Sequence, residues 1–194
     1  MILNFLLFLC TAAAYVRCFR TEEGTWSRKQ GIETLRYFTL LSNLFCGLAA
    51  LAMAIAQLGG SVPHALWLCK YVSVAAVSVT MITVLVFLGP ALGYKSQLSG
   101  VNLYLHLLGP LLAIGSFCFF ERIYPLTLPL SLLGILPVAC YGLFYLNKVV
   151  LCPEGKRWED FYGFNKGGKW PVSFVAMHVG AALVCLLLYG LCRL

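Results

Sequence analysis

Two short stretches of this chain hold residues whose types and spacing suit acyl-transfer chemistry. One reads Arg36-Tyr37-Phe38-Thr39-Leu40-Leu41-Ser42-Asn43, the other Val101-Asn102-Leu103-Tyr104-Leu105-His106. A threonine hydroxyl holds its proton too tightly to attack an ester unaided. A histidine within hydrogen-bond reach can take that proton as general base and return it later to a leaving group. Asn43 or Asn102 would orient the imidazole or donate to an oxyanion, and Ser42 adds a second hydroxyl. On helices, Thr39 and Asn43 share a face, as do Asn102 and His106, because each pair is four residues apart. The plain alternative is structural: a threonine in an apolar helix commonly bonds its own backbone, and a histidine there is commonly a packed one.

These stretches open two of six apolar runs. The runs cover residues 2–16, 35–58, 65–88, 101–120, 126–151 and 171–191, each near the roughly 20 residues that a membrane-crossing helix requires. Composition agrees. Of the 194 residues, 61% are hydrophobic and 11% charged, too few charges to clothe a water-soluble domain. The runs are apolar on every face and show no alternating segments of about 10 residues, which argues against a membrane barrel. The expected architecture is one all-α integral membrane domain over 1–194, a polytopic bundle of about six helices. Thr39 and His106 then each lie about five residues from their helix starts, roughly 7 Å below the same interface. Packing of those two helices would merge their polar faces into one cavity.

The cations fix an expected orientation. Arg17, Arg20, Arg28, Lys29, Arg36, Lys95, Lys148, Lys156, Arg157, Lys166 and Lys169 fall on one side; Lys70, Arg122 and Arg193 fall on the other. Eleven against three places the first side in the cytoplasm and both termini outside or in a lumen. The first run has its positive residues after it, the reverse of a cleaved signal, so it reads as a short spanning helix. The net charge of +7 serves topology and anionic headgroups here; nothing suggests nucleic acid as a partner. The nine cysteines form no CxxC and no metal-spaced set with histidine, so neither a metal nor another cofactor is expected.

Secondary candidates follow from depth. His178 lies about seven residues into the last run and is placed to reach the same cavity. Tyr141 approaches the basic face along the fifth run, either as a pocket residue or as an interfacial anchor. Lys70 sits near an outer helix end and is expected to snorkel to headgroups. The loop from Trp158 to Pro171 mixes aromatics, acids and glycines, either as an interfacial loop or as a lid.

Three features in order resemble the androgen-induced protein family, which includes the androgen-dependent TFPI-regulating protein and bacterial relatives. They are Tyr37-Phe38-Thr39, His106 followed by Leu107-Leu108-Gly109-Pro110-Leu111, and Phe161-Tyr162-Gly163-Phe164-Asn165 with Gly167-Gly168. The match runs from roughly residue 30 to the end. It implies a six-helix intramembrane hydrolase of fatty acid esters of hydroxy fatty acids, with Thr39 as nucleophile and His106 as its partner. The chain departs from that pattern at Ser42-Asn43 and at Gly163 and Asn165. A bilayer lipid or acyl ester would be the substrate. The rival readings are a small lipid or solute transporter, a non-enzymatic membrane scaffold, and a thiol mechanism through Cys46 or Cys118.

Overall fold

The computed structural model describes residues 1–21 and 23–194. In chain order it comprises α1 (Ile2–Cys18), a short α2 (Arg28–Thr34), α3 (Phe38–Leu58), α4 (His64–Leu92), α5 (Gly100–Phe120), α6 (Leu128–Leu151) and α7 (Trp170–Leu191). The helices α3 to α7 are each long and apolar enough to cross a membrane, while α1, with 17 residues, is shorter. Among the described residues the only β pairing is a bridge between Arg20 and Trp26. The chain is an all-α integral membrane protein. Helices suit this setting because they pair their backbone groups internally, which hydrocarbon demands.

The centre of the bundle is α4, which packs against α3, α5, α6 and α7. Its enclosed surface includes Ser73, Ala75, Ala76 and Ser78, all buried. Small side chains let neighbouring backbones approach, and Ser78 satisfies its hydroxyl on the Val74 carbonyl within its own helix. Trp67, Tyr71 and Phe117 are buried in the core, where the Phe117 ring meets the other two in tilted contacts. The α1 helix lies along α3, where the Tyr15 hydroxyl donates to the Leu40 carbonyl.

Two Leu-Gly-Pro sequences reshape α4 and α5 in the same way. Both follow a wide π turn, Val84–Leu88 in α4 and Tyr104–Leu108 in α5. There the Gly89 N–H reaches back to the Val84 carbonyl and the Gly109 N–H to that of Tyr104. Pro90 and Pro110 have no N–H to offer, so the carbonyls of Leu85 and Leu105 lose their helical donors. Side chains replace them. The Tyr94 hydroxyl donates to Leu85 at 2.8 Å, and the Asn43 amide donates to Leu105 at 3.0 Å. A Cβ on Gly109 would meet the Tyr104 carbonyl at 3.0 Å and its ring at 3.2 Å, so a side chain there would be crowded.

Helix ends agree with the apolar runs to within a few residues, with one consequential exception. The second run begins as a helix at Phe38, not at residue 35, because Tyr37 is extended (φ −87°, ψ 135°). The segment before it forms the separate α2, capped by the Ser27 side chain on the Gln30 N–H.

Candidate functional site

Thr39 lies in the first turn of α3 and is buried. Its side chain faces a cavity of about 380 Å³, within the size range of small-molecule sites. The walls are mostly apolar: Val79, Val84 and Leu88 of α4, Val138 of α6, and Met177 of α7. The hydroxyls of Thr80, Tyr141 and Tyr162 bond to Ser42, Arg36 and Phe38 and so lie near Thr39, while Thr83, Tyr145 and Ser173 add further hydroxyls to the walls. The arrangement suits a ligand with a long apolar part and one polar group.

The loop after α6 roofs this cavity through Tyr162, Gly163 and Phe164. Asp160 organises it. One carboxylate oxygen accepts the Phe164 N–H at 2.8 Å and the Tyr145 hydroxyl at 3.1 Å; the other accepts the Asn165 N–H at 2.7 Å. Gly163 supplies the turn with φ of +65°, a region that side chains disfavour. Tyr162 then reaches α3, where its hydroxyl accepts the Phe38 N–H at 3.1 Å. That donor is one of the orphaned N–H groups of a helix start, so Tyr162 acts as a cap supplied from 124 residues away. Burial pushes the Tyr162 phenol up to about 12, and it stays protonated at neutral pH.

The other residues singled out from the sequence are distributed as follows. Ser42 donates to the Thr39 carbonyl at 3.1 Å and shares a hydrogen bond with Thr80 at 2.9 Å, tying α3 to α4 beside the cavity. Asn43 donates to the Thr39 carbonyl at 2.8 Å as well as to Leu105, and so holds the nucleophile candidate's backbone and the π turn of α5 together. Tyr141 lines the cavity and donates to the Arg36 carbonyl at 2.7 Å. His178 is half-buried; its Nδ1 lies 2.7 Å from the Phe174 carbonyl and its ring centroid is 4.3 Å from that of Phe174, in a tilted contact. His178 is not among the cavity residues.

His106 is buried on the inner π turn, next to the Leu105 carbonyl that Asn43 holds. Its Nδ1 is 2.7 Å from the Gln97 carbonyl. A carbonyl only accepts, so Nδ1 carries the proton and Nε2 is the basic nitrogen. No hydrogen bond joins His106 to Thr39, and His106 does not line the Thr39 cavity. The break at Tyr37 puts Thr39 in the first turn of α3, whereas His106 is roughly 9 Å along α5. Asn102 is exposed and donates to the Ser96 carbonyl at 3.2 Å. Asn102 and His106 do share a face, but that face meets the Tyr94–Gln97 turn.

Two charged residues are enclosed at the opposite end of the bundle. Lys70 does not snorkel: it is fully buried, and its ammonium donates to the Asn4 carbonyl oxygen at 2.8 Å. Asn4 in turn donates to Gln57 at 3.3 Å. Glu121, which the sequence pattern does not single out, is also buried. One of its carboxylate oxygens accepts the Ser116 hydroxyl, and the other has no partner. Its signal was available: it is the single acid on the side that also carries few cations. Among the described residues no set of histidine, cysteine and carboxylate groups has the arrangement of a metal site.

Comparison with protein-family models, with curated proteins and with solved structures finds no match for this chain.

Proposed function

We propose that the protein is an intramembrane lipid ester hydrolase, with Thr39 as nucleophile and His106 as general base. The observation that carries this reading is Thr39 at the polar end of an apolar cavity within a membrane bundle. The acyl chain would lie between α4, α6 and α7, with its ester beside the hydroxyls of Thr39, Thr80 and Tyr162. The Thr39 oxygen attacks the ester carbonyl while His106 Nε2 takes its proton. The alcohol leaves with that proton, and water then releases the fatty acid from Thr39. The Gln97 carbonyl fixes the tautomer this step needs, the role that a carboxylate plays beside a catalytic histidine elsewhere. The reaction requires a rearrangement that brings Nε2 to Thr39, and the π turn carrying His106 is the element suited to it, since such turns recur at functional sites. The resemblance to the androgen-induced protein family supports the same pair, and fatty acid esters of hydroxy fatty acids are the substrate class it implies. The excess of cations on the Thr39 side supports a cytoplasmic location for that side.

The test is labelling of detergent-purified protein by a fluorophosphonate probe, which reacts with activated hydroxyls. Labelling lost in both Thr39→Ala and His106→Gln, with monodisperse elution retained, is the expected result. Labelling that survives Thr39→Ala would assign the nucleophile elsewhere, and absence of labelling in folded wild type would end the hydrolase reading.

A second reading, transport, is favoured by one observation. Ionisable residues enclosed in a membrane bundle mark ion or substrate paths, and Lys70 and Glu121 are both enclosed. It predicts flux across proteoliposomes that is abolished by Lys70→Met and indifferent to Thr39→Ala.

A further inference from the structure

At the end of the bundle opposite the basic connections, two thiols meet. The sulfurs of Cys118, in the last turn of α5, and Cys192, just past α7, are 3.4 Å apart and share a hydrogen bond. Cys118 is buried and Cys192 half-buried. They are separated by 74 residues, so neither a CxxC motif nor local spacing announces them.

Two further observations surround the pair. Cys192 borders a second cavity, of about 580 Å³, whose wall includes Arg122, Arg193, Tyr124 and Tyr189. This cavity holds two of the three cations on that side of the molecule. Glu121 also faces it, buried and with one carboxylate oxygen unpartnered, three residues beyond Cys118. An orphaned buried carboxylate is costly to keep and calls for a role.

We infer that Cys118 and Cys192 form a thiol–disulfide exchange site, reached through this cavity by small disulfides that bear carboxylates, glutathione disulfide being the type. Arg122 and Arg193 attract the carboxylates. Cys192 is the attacking thiol, since it is the more exposed; its bond to Cys118 and the Arg122 guanidinium also hold it below the ordinary thiol range. Its thiolate attacks one sulfur of the small disulfide, forms a mixed disulfide and releases one thiolate. Cys118 passes its proton to the free oxygen of Glu121 and attacks the Cys192 sulfur. The second thiolate leaves, and the Cys118–Cys192 bond closes. Two protein thiols and one small disulfide become one protein disulfide and two small thiols, and two electrons pass to the small molecule. The bond joins the ends of α5 and α7.

The experiment equilibrates the full chain in detergent with graded ratios of reduced to oxidised glutathione, quenches with acid, and alkylates the remaining thiols. Peptide mass spectrometry then maps the products. A Cys118–Cys192 peptide that rises with oxidation in a single two-electron titration is expected. Cys118→Ser should accumulate glutathione on Cys192, while Cys192→Ser should leave Cys118 unmodified. Replacing Arg122 and Arg193 by Gln should slow the reaction with glutathione disulfide at least tenfold but leave that with hydroxyethyl disulfide, which is uncharged, within threefold. The proposal is overturned if the Cys118–Cys192 peptide stays absent at the oxidising extreme. It is equally overturned if Cys192 in Cys118→Ser reacts no faster than the exposed Cys140. Cys192 is half-buried at a helix end, so its variants remain informative even where Cys118 variants do not fold.

Discussion

The side-chain amide of Asn43 donates at 3.0 Å to the main-chain carbonyl of Leu105, joining α3 to α5 where the π turn leaves that carbonyl without a helical donor. The same nitrogen donates to the Thr39 carbonyl at 2.8 Å. One amide thus sets the relation between the Thr39 turn and the His106 turn.

Replacing Asn43 by Ala therefore leaves a buried carbonyl unpaired. A loss of about 1–3 kcal/mol is expected, read as a lower melting temperature in detergent. Asn43→Leu should be no better, since shape is not what the carbonyl lacks. A variant as stable as wild type would show that water or a neighbouring group takes over the bond.

The proposed role of the Thr39 hydroxyl is chemical. Thr39→Ala should lower ester hydrolysis by at least about 100-fold, as loss of a covalent nucleophile does, while shifting the melting temperature little. Thr39→Ser should retain part of the activity. Equal rates for Thr39→Ala and wild type would remove the residue from the mechanism.

Tyr162→Phe removes the acceptor for the Phe38 N–H, and with it a cap that ties the roofing loop to α3. About 0.5–1.5 kcal/mol of stability should go. The pH dependence has a definite sign. Burial raises the Tyr162 phenol from 10.0 to about 12. Its contribution is thus full below pH 10 and is lost as pH rises from 10 through 12. Wild type should lose stability across that window more steeply than Tyr162→Phe, as measured by melting temperature at stepped pH.

Ala176, on the α7 side of the Thr39 cavity, offers a way to fill it. Ala176→Phe should weaken binding of a fluorescent fatty-acyl probe at least tenfold with the fold retained. Unchanged binding would place the acyl chain elsewhere.

Lys70 and Asn4 form a buried pair whose members should not be removed singly. Asn4→Leu strands a buried ammonium and is expected to cost about 3–5 kcal/mol, whereas Asn4→Leu combined with Lys70→Met should recover most of that loss. Additive losses in the double-mutant cycle would show that the two residues act independently.

The helical bundle was legible in the sequence because length and apolarity alone decide what crosses a bilayer, and the observed ends of α4 to α7 fall within a few residues of the apolar runs. The start of α3 was not. It follows the break at Tyr37, where the cap on the Phe38 N–H comes from Tyr162, a partner 124 residues away. The π turns were half legible: Gly89-Pro90 and Gly109-Pro110 announce a disturbance, yet which carbonyl is released depends on how many residues the turn takes up. His106 was rightly placed among buried residues, but its partner, the Gln97 carbonyl, carries no sequence signal. Lys70 was misplaced because a lysine near a helix end ordinarily escapes to the headgroups; here Asn4 of α1 holds it inside. Glu121 and the Cys118–Cys192 contact depend on long-range packing that no local pattern reveals.

The enclosure of Lys70 also bears on how the chain is assembled. A lysine presented to lipid opposes insertion, by about 2.5–3.5 kcal/mol at a helix centre and by less toward an end. The oxygen that receives the ammonium belongs to α1, which leaves the ribosome before α4, and Gln57, which binds the same asparagine, lies at the end of α3. By the time α4 emerges, its polar berth is already made. The order of the helices along the chain thus doubles as an order of assembly, in which α1 has to remain beside the insertion site until the fourth helix arrives.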